Sequence, residues 1–156
     1  MIRLQQKDLF TRRWRRVVER PDKEANDLQI PLVTMLRWCI KDEVVWRHVP
    51  NGEHRDPRTG AKLKAMGVLP GSADLEFFWK HYWEDLDGSH TCLRALFMEL
   101  KLQKRLDLSV PQQQFAERVE AIGAEYFVVR SMDAAVMLLG ERGLVKGGMT
   151  VCGRRW

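Results

Sequence analysis

Residues 95–104 read ALFMELKLQK. An apolar run here holds a carboxylate and an ammonium two positions apart. Read as a strand, the pleat sends Leu96, Met98, Leu100 and Leu102 to one face, and Phe97, Glu99 and Lys101 to the other. The first is a plain core face. The second sets an acid and a base beside aromatic bulk, which costs desolvation unless a metal ion or a phosphate shares the site. An acid-x-Lys triplet arises by chance about once in a chain of this size, and on a wet strand it is a weak surface pair. Among all the acids of the chain, however, Glu99 alone has Lys two residues later.

The segment just upstream supplies the company this triplet needs. Residues 73–79, ADLEFFW, read as a strand whose alternation puts Asp74, Glu76 and Phe78 on one face. Antiparallel pairing with residues 94–102 would bring Asp74, Glu99 and Lys101 together. Two carboxylates suit Mg²⁺ (or Mn²⁺), a cation that favours hard oxygen ligands. The Leu100 backbone carbonyl, between Glu99 and Lys101, is a further candidate ligand. A metal so placed polarises a phosphoryl oxygen and acidifies a bound water. Lys101 can orient that water or offset charge that develops on the phosphate. Glu76 reads either as a supporting acid or as a cross-strand partner.

The rest of the chain predicts an α/β protein, a small mixed sheet flanked by helices. Leu28, Leu32, Leu36 and Ile40 repeat at helical spacing over 28–43, with Asp27 as N-cap and Pro31 near the first turn. Residues 44–49 read as a short strand. Residues 50–72 are rich in turn formers and bases, with a helical turn at 60–66. The acidic and aromatic stretch 80–92, KHYWEDLDGSHTC, reads as a long connection that projects away from any DNA groove. Pro111 opens a helix that Gly123 stops. EYFVVR, 125–130, reads as a strand buried on both faces and parallel to the 94–102 strand. Ser131 caps a last helix that ends at Gly143, and the tail reads as loosely ordered.

A chain of 156 residues is one domain by expectation. No apolar run approaches the roughly 18 residues of a membrane span, and the charged N-terminus is unlike a leader, so a cytoplasmic protein is expected. Cys39, Cys92 and Cys152 are odd in number and show no CxxC, which disfavours a disulfide scaffold or zinc knuckle. The net charge is +5, and residues 1–20 hold seven Lys and Arg against two acids, so they account for all of it. Such an arm, with Trp14 among its arginines, suits a phosphate backbone as well as it suits a solvated tail. Trp79 and Trp83 are candidate dimer contacts.

Four separated blocks, PNGEHRDPRTGAKLKAMGVLPGSADLEF, FMELK, LSVPQQQF and YFVVRSMDAA, resemble in their order the VRR-NUC family of the PD-(D/E)xK nuclease superfamily. The resemblance spans roughly residues 24–145. It implies a basic arm at 1–22, a nuclease domain at 23–146 and a tail at 147–156. It further implies a restriction-endonuclease-like fold and Mg²⁺- or Mn²⁺-dependent hydrolysis of DNA phosphodiesters. Asp74 and Glu99 fall on the family's metal-binding acids, Lys101 on its catalytic lysine, and Gln112 on the glutamine after its Ser-Pro-like turn. The family's helical glutamate falls on Glu24, although Glu24 and Gln29 are five residues apart where the family has four; Asp27 and Glu43 are alternatives. Ala73 stands where the family has Pro. Asn51, Arg55, Arg58, Lys62 and Lys64 fall in the loop block that could follow a DNA backbone. Small members, many from phages and bacteria, are similar to homodimeric enzymes that cut branched DNA such as Holliday junctions or flaps. The different-class alternative is a DNA-binding or assembly protein of the same fold with a degraded site.

Overall fold

A computed structural model describes residues 25–50, 57–102, 107–147, 150–151 and 154–155. A π-turn at Ala25–Gln29 leads into α1 (Ile30–Cys39), followed by β1 (Val45–His48) and α2 (Pro57–Ala65). β2 (Leu75–Asp85) and β3 (Gly88–Leu100) come next, then α3 (Val110–Ala121), β4 (Glu125–Val129) and α4 (Met132–Glu141). A two-residue pair, β5 (Thr150–Val151) and β6 (Arg154–Arg155), lies where the sequence suggests a loose tail.

The main sheet has the order β1-β2-β3-β4, with β1–β2 and β2–β3 antiparallel and β3–β4 parallel. This is the mixed sheet the sequence predicts. Its faces are covered by different helices. On one side Leu75, Phe77, Trp79, Leu96, Met98, Leu100 and Val129 pack against the apolar stripe of α1 and against Ala135, Leu138 and Leu139 of α4. Complete burial of residues such as Phe77 and Leu96 contributes roughly 1.5–3 kcal/mol each. On the other side Phe97 and Ala73 meet Val119, Phe115 and Tyr126 beneath α3. Phe115 sits edge-on to both Phe97 and Tyr126, at ring separations of 5.4 and 6.3 Å.

Four local readings change. Asp27 is not an N-cap: the helical segment already runs at Ala25, and Asp27 is exposed within its first turn. Pro31 has no N–H for the carbonyl four residues back, and the wider π-turn accommodates that loss. The stretch 80–92 is no irregular connection, because β2 and β3 continue as a ladder to the Asp85–Gly88 rung around the two-residue turn Leu86–Asp87. The Asp87–Gly88 pair is the overlooked signal; Gly88 takes φ 129°, and the Asp87 N–H donates to the Asp85 carboxylate at 2.9 Å. β4 is an edge strand, not one buried on both faces: Phe127 is 37 % exposed, with the Arg142 guanidinium over its ring. Finally, Trp79 is buried in the core and offers no contact surface, whereas Trp83 stacks between His81 and His90.

Candidate active site

The register brings the acids together. Leu75 pairs with Met98, so Asp74 lies one rung further on, opposite Glu99 and on the α3 side of the sheet. The Leu100 N–H donates to Asp74 Oδ2 at 2.8 Å, which fixes that carboxylate at the end of β3. Because a residue's N–H and C=O point to the same side of an extended strand, the Leu100 carbonyl also opens towards Asp74. On the opposite flank the Lys101 N–H donates to the Val129 carbonyl at 2.9 Å, which holds the lysine main chain against β4.

Glu99 is the most deeply placed charge among the described residues, 2 % exposed. Its Oε1 receives Lys101 Nζ at 2.7 Å and the Gln112 side-chain amide. Gln112 is set by its own helix: its Oε1 accepts the Ser109 N–H at 2.9 Å, a capping arrangement that turns the NH₂ group inward to Glu99. A contact that sequence reasoning missed aims this helix. Gly71, at φ +80°, lies so close to α3 that a Cβ there would fall 2.3 Å from the Pro111 carbonyl carbon and 2.5 Å from the Gln112 nitrogen. Only glycine fits, and its fit seats the N-terminus of α3 beside the acids.

Tyr126 is the second missed residue. The β3–β4 register pairs it with Phe97, so it shares the face of Glu99. Its hydroxyl is buried with no hydrogen-bond partner among the described residues. Burial, first, and then the charges of Glu99, Asp74 and Glu120 push it above the ordinary tyrosine value. Alternation along 125–129 carried the signal, since Tyr126 is the lone polar group on that face.

Glu76 is a cross-strand partner: it sits opposite Arg47, whose Nε donates to Glu76 Oε2 at 2.7 Å. Glu43 precedes β1 at the Phe78 end of β2, about 15 Å of strand from Asp74 at ~3.3 Å per residue, so it is removed from the site. Asp27 is exposed in the π-turn that precedes α1. Glu24, Asn51 and Arg55 lie outside the described residues, as does the 1–22 arm. Arg58, Lys62 and Lys64 are exposed on α2. The excursion that carries α2 leaves the sheet at Val49 and returns at Asp74, and those two residues are bonded N–H to C=O at 2.9 Å. The bases are therefore rooted at the site's end of the sheet.

Among the described residues no three His, Cys, Asp or Glu side chains gather at one point. The donor set in view is two carboxylates with the Leu100 carbonyl. That fits Mg²⁺, which is held by one or two carboxylates and completes its shell with water and phosphate oxygens. Among the described residues no helix is long and apolar enough to cross a membrane. Comparison with family models, with curated proteins and with solved structures returned no match.

Proposed function

We propose that the chain is a divalent-metal-dependent DNA endonuclease with a VRR-NUC-like, restriction-endonuclease-like domain, acting on branched DNA. One observation carries this reading: Asp74, Glu99, Lys101 and Gln112, from three separate segments, converge at one end of a mixed sheet. Asp74, Glu99 and the Leu100 carbonyl would hold Mg²⁺ or Mn²⁺. Such an ion supplies Lewis-acid polarisation of the scissile phosphate and a more acidic water.

The chain's own groups do the rest. Lys101, 15 % exposed at its side chain and paired with Glu99, can place its ammonium beside a phosphate oxygen. Gln112 keeps the Glu99 carboxylate in one orientation while the lysine moves between Glu99 and substrate. Exposed Arg58, Lys62 and Lys64 give the incoming backbone a run of positive charge.

The test is cleavage of labelled four-way junction, flap, linear duplex and single-stranded DNA with Mg²⁺ or Mn²⁺ and with EDTA. Metal-dependent cutting that is lost in Glu99→Gln and Lys101→Ala supports the reading. Binding to every substrate without cutting any would instead favour the degraded, DNA-binding alternative.

A further inference from the structure

Among the described residues, beyond Phe78 on β2 and before Leu96 on β3 the two central strands have no outer neighbours and pair only with each other. Residues 80–94 thus form a two-stranded arm pointing away from the candidate site, which lies at the opposite strand ends. An isolated ribbon of this kind is marginal in water and has open edges. Both faces carry contacts of their own: on one the Trp83 ring stacks on His81 and His90 at 5.8 and 5.3 Å and His90 bonds Asp85 at 2.9 Å, and on the other the Tyr82 hydroxyl bonds Glu84 and Ser89 at 2.9 and 2.8 Å.

The other face, continuous with the α3 side of the sheet, consists of three rungs: Lys80–Leu93, Tyr82–Thr91 and Glu84–Ser89. Tyr82 is 56 % exposed, Leu93 is 76 %, and Leu86 at the tip is fully exposed. Its charge is graded along the arm, with a cation at the base and an anion near the tip. A two-fold axis through the Tyr82–Thr91 rung lays the Lys80–Leu93 rung of one copy over the Glu84–Ser89 rung of the other, twice over by symmetry. The same operation carries Leu86, two positions past Glu84, to the level of Phe78 and Ala95 of the second copy, both half-buried and apolar. The acidic tip (Glu84, Asp85, Asp87) disfavours nucleic acid or an anionic membrane as the occupant.

We infer that this face is a self-association surface on which a second copy of the chain docks, arm against arm and antiparallel, through Lys80–Glu84 ion pairs around Tyr82, Leu93 and Leu86. The argument is independent of the nuclease reading.

Sedimentation velocity of the full chain over a concentration series tests it, with Lys80→Glu and Glu84→Lys as separate variants and as an equimolar mixture. Each reversal makes the face uniformly charged, so each variant alone dimerises more weakly by roughly tenfold or more. The mixture restores opposite charges at both contacts and recovers a dimer that contains one copy of each. That recovery also shows that both variants are folded. A wild-type chain that stays monomeric, or a dimer indifferent to both reversals, would overturn the proposal. So would two monomeric variants that fail to recombine.

Discussion

Leu100 donates its main-chain N–H to the carboxylate of Asp74, 26 residues earlier in the chain, across 2.8 Å. One side chain therefore closes the end of the β2–β3 ladder and presents an acid to the site. These two roles separate by substitution. In Asp74→Asn the amide oxygen still accepts the Leu100 N–H, so stability stays within ~1 kcal/mol of wild type. In Asp74→Ala the N–H loses its acceptor, at a cost of about 1–3 kcal/mol. On the proposed nuclease reading, metal-dependent cleavage is expected to be lost in both. Chemical denaturation together with the junction assay checks this. An Asn variant that cuts at the wild-type rate would remove Asp74 from the mechanism.

The Glu99–Lys101 pair lies on the dry side of the site, and a charge left alone there is expensive. Lys101→Ala takes the ammonium away from the 2 %-exposed Glu99 carboxylate, and is expected to cost roughly 3–5 kcal/mol. The double variant Glu99→Gln/Lys101→Met removes both charges with little change in volume. It recovers most of that loss while remaining inactive. Urea midpoints for the single and double variants measure the difference. A double variant as unstable as Lys101→Ala would mean that shape, not charge, governs the locus.

Gly71 makes a steeper prediction than its exposure suggests. In Gly71→Ala a positive φ and a collision with the Pro111 main chain act together, so α3 has to shift and Gln112 is drawn from Glu99. A loss of at least ~2 kcal/mol is expected, with activity reduced even below the melting transition. Gly60, inside α2 with open space where a Cβ would sit, provides the contrast: Gly60→Ala should stabilise by about 0.5–1 kcal/mol. Melting curves for the two variants settle both signs.

These cases show why the sequence disclosed some parts of the site and hid others. Strand alternation, a strict period of two, is enough to put Glu99 and Lys101 on one face and Asp74 with Glu76 on one face of its own strand, whereas the register that brings them together follows from the tight β2–β3 hairpin. The charged, aromatic residues 80–92 read as loop, because their strand character comes from cross-strand rungs, which composition does not display. The apolar run EYFVV predicts a strand buried on both faces, yet β4 lies at a sheet edge where Arg142 covers Phe127 and bonds Glu125. Gly71 was invisible as a packing residue because its role depends on how α3 returns across the sheet, a long-range contact with no local signature.

Tyr126 supplies the pH dependence. Its folded-state pKa lies above the ordinary value, through burial first and then the nearby charges of Glu99, Asp74 and Glu120. An unfolded chain ionises this phenol near pH ~10, whereas the folded chain resists. The stabilisation tied to the protonated hydroxyl is therefore complete below pH ~10 and is lost as pH rises above it, because the unfolded state gives up its proton first. Tyr126→Phe removes that linkage. It also removes a buried hydroxyl that has no partner among the described residues, so the variant at neutral pH should match or exceed wild type by up to about 1 kcal/mol. Unfolding free energies from pH 7 to 11, in metal-free buffer, should show the wild-type curve falling more steeply than the variant's at the alkaline end. The chain has two tyrosines, so subtracting the variant's ultraviolet titration from the wild type's isolates the ionisation of Tyr126 itself. Parallel stability curves would show that water reaches this hydroxyl in solution, and that the face shared with Glu99 is wetter than the packing around Phe115 implies.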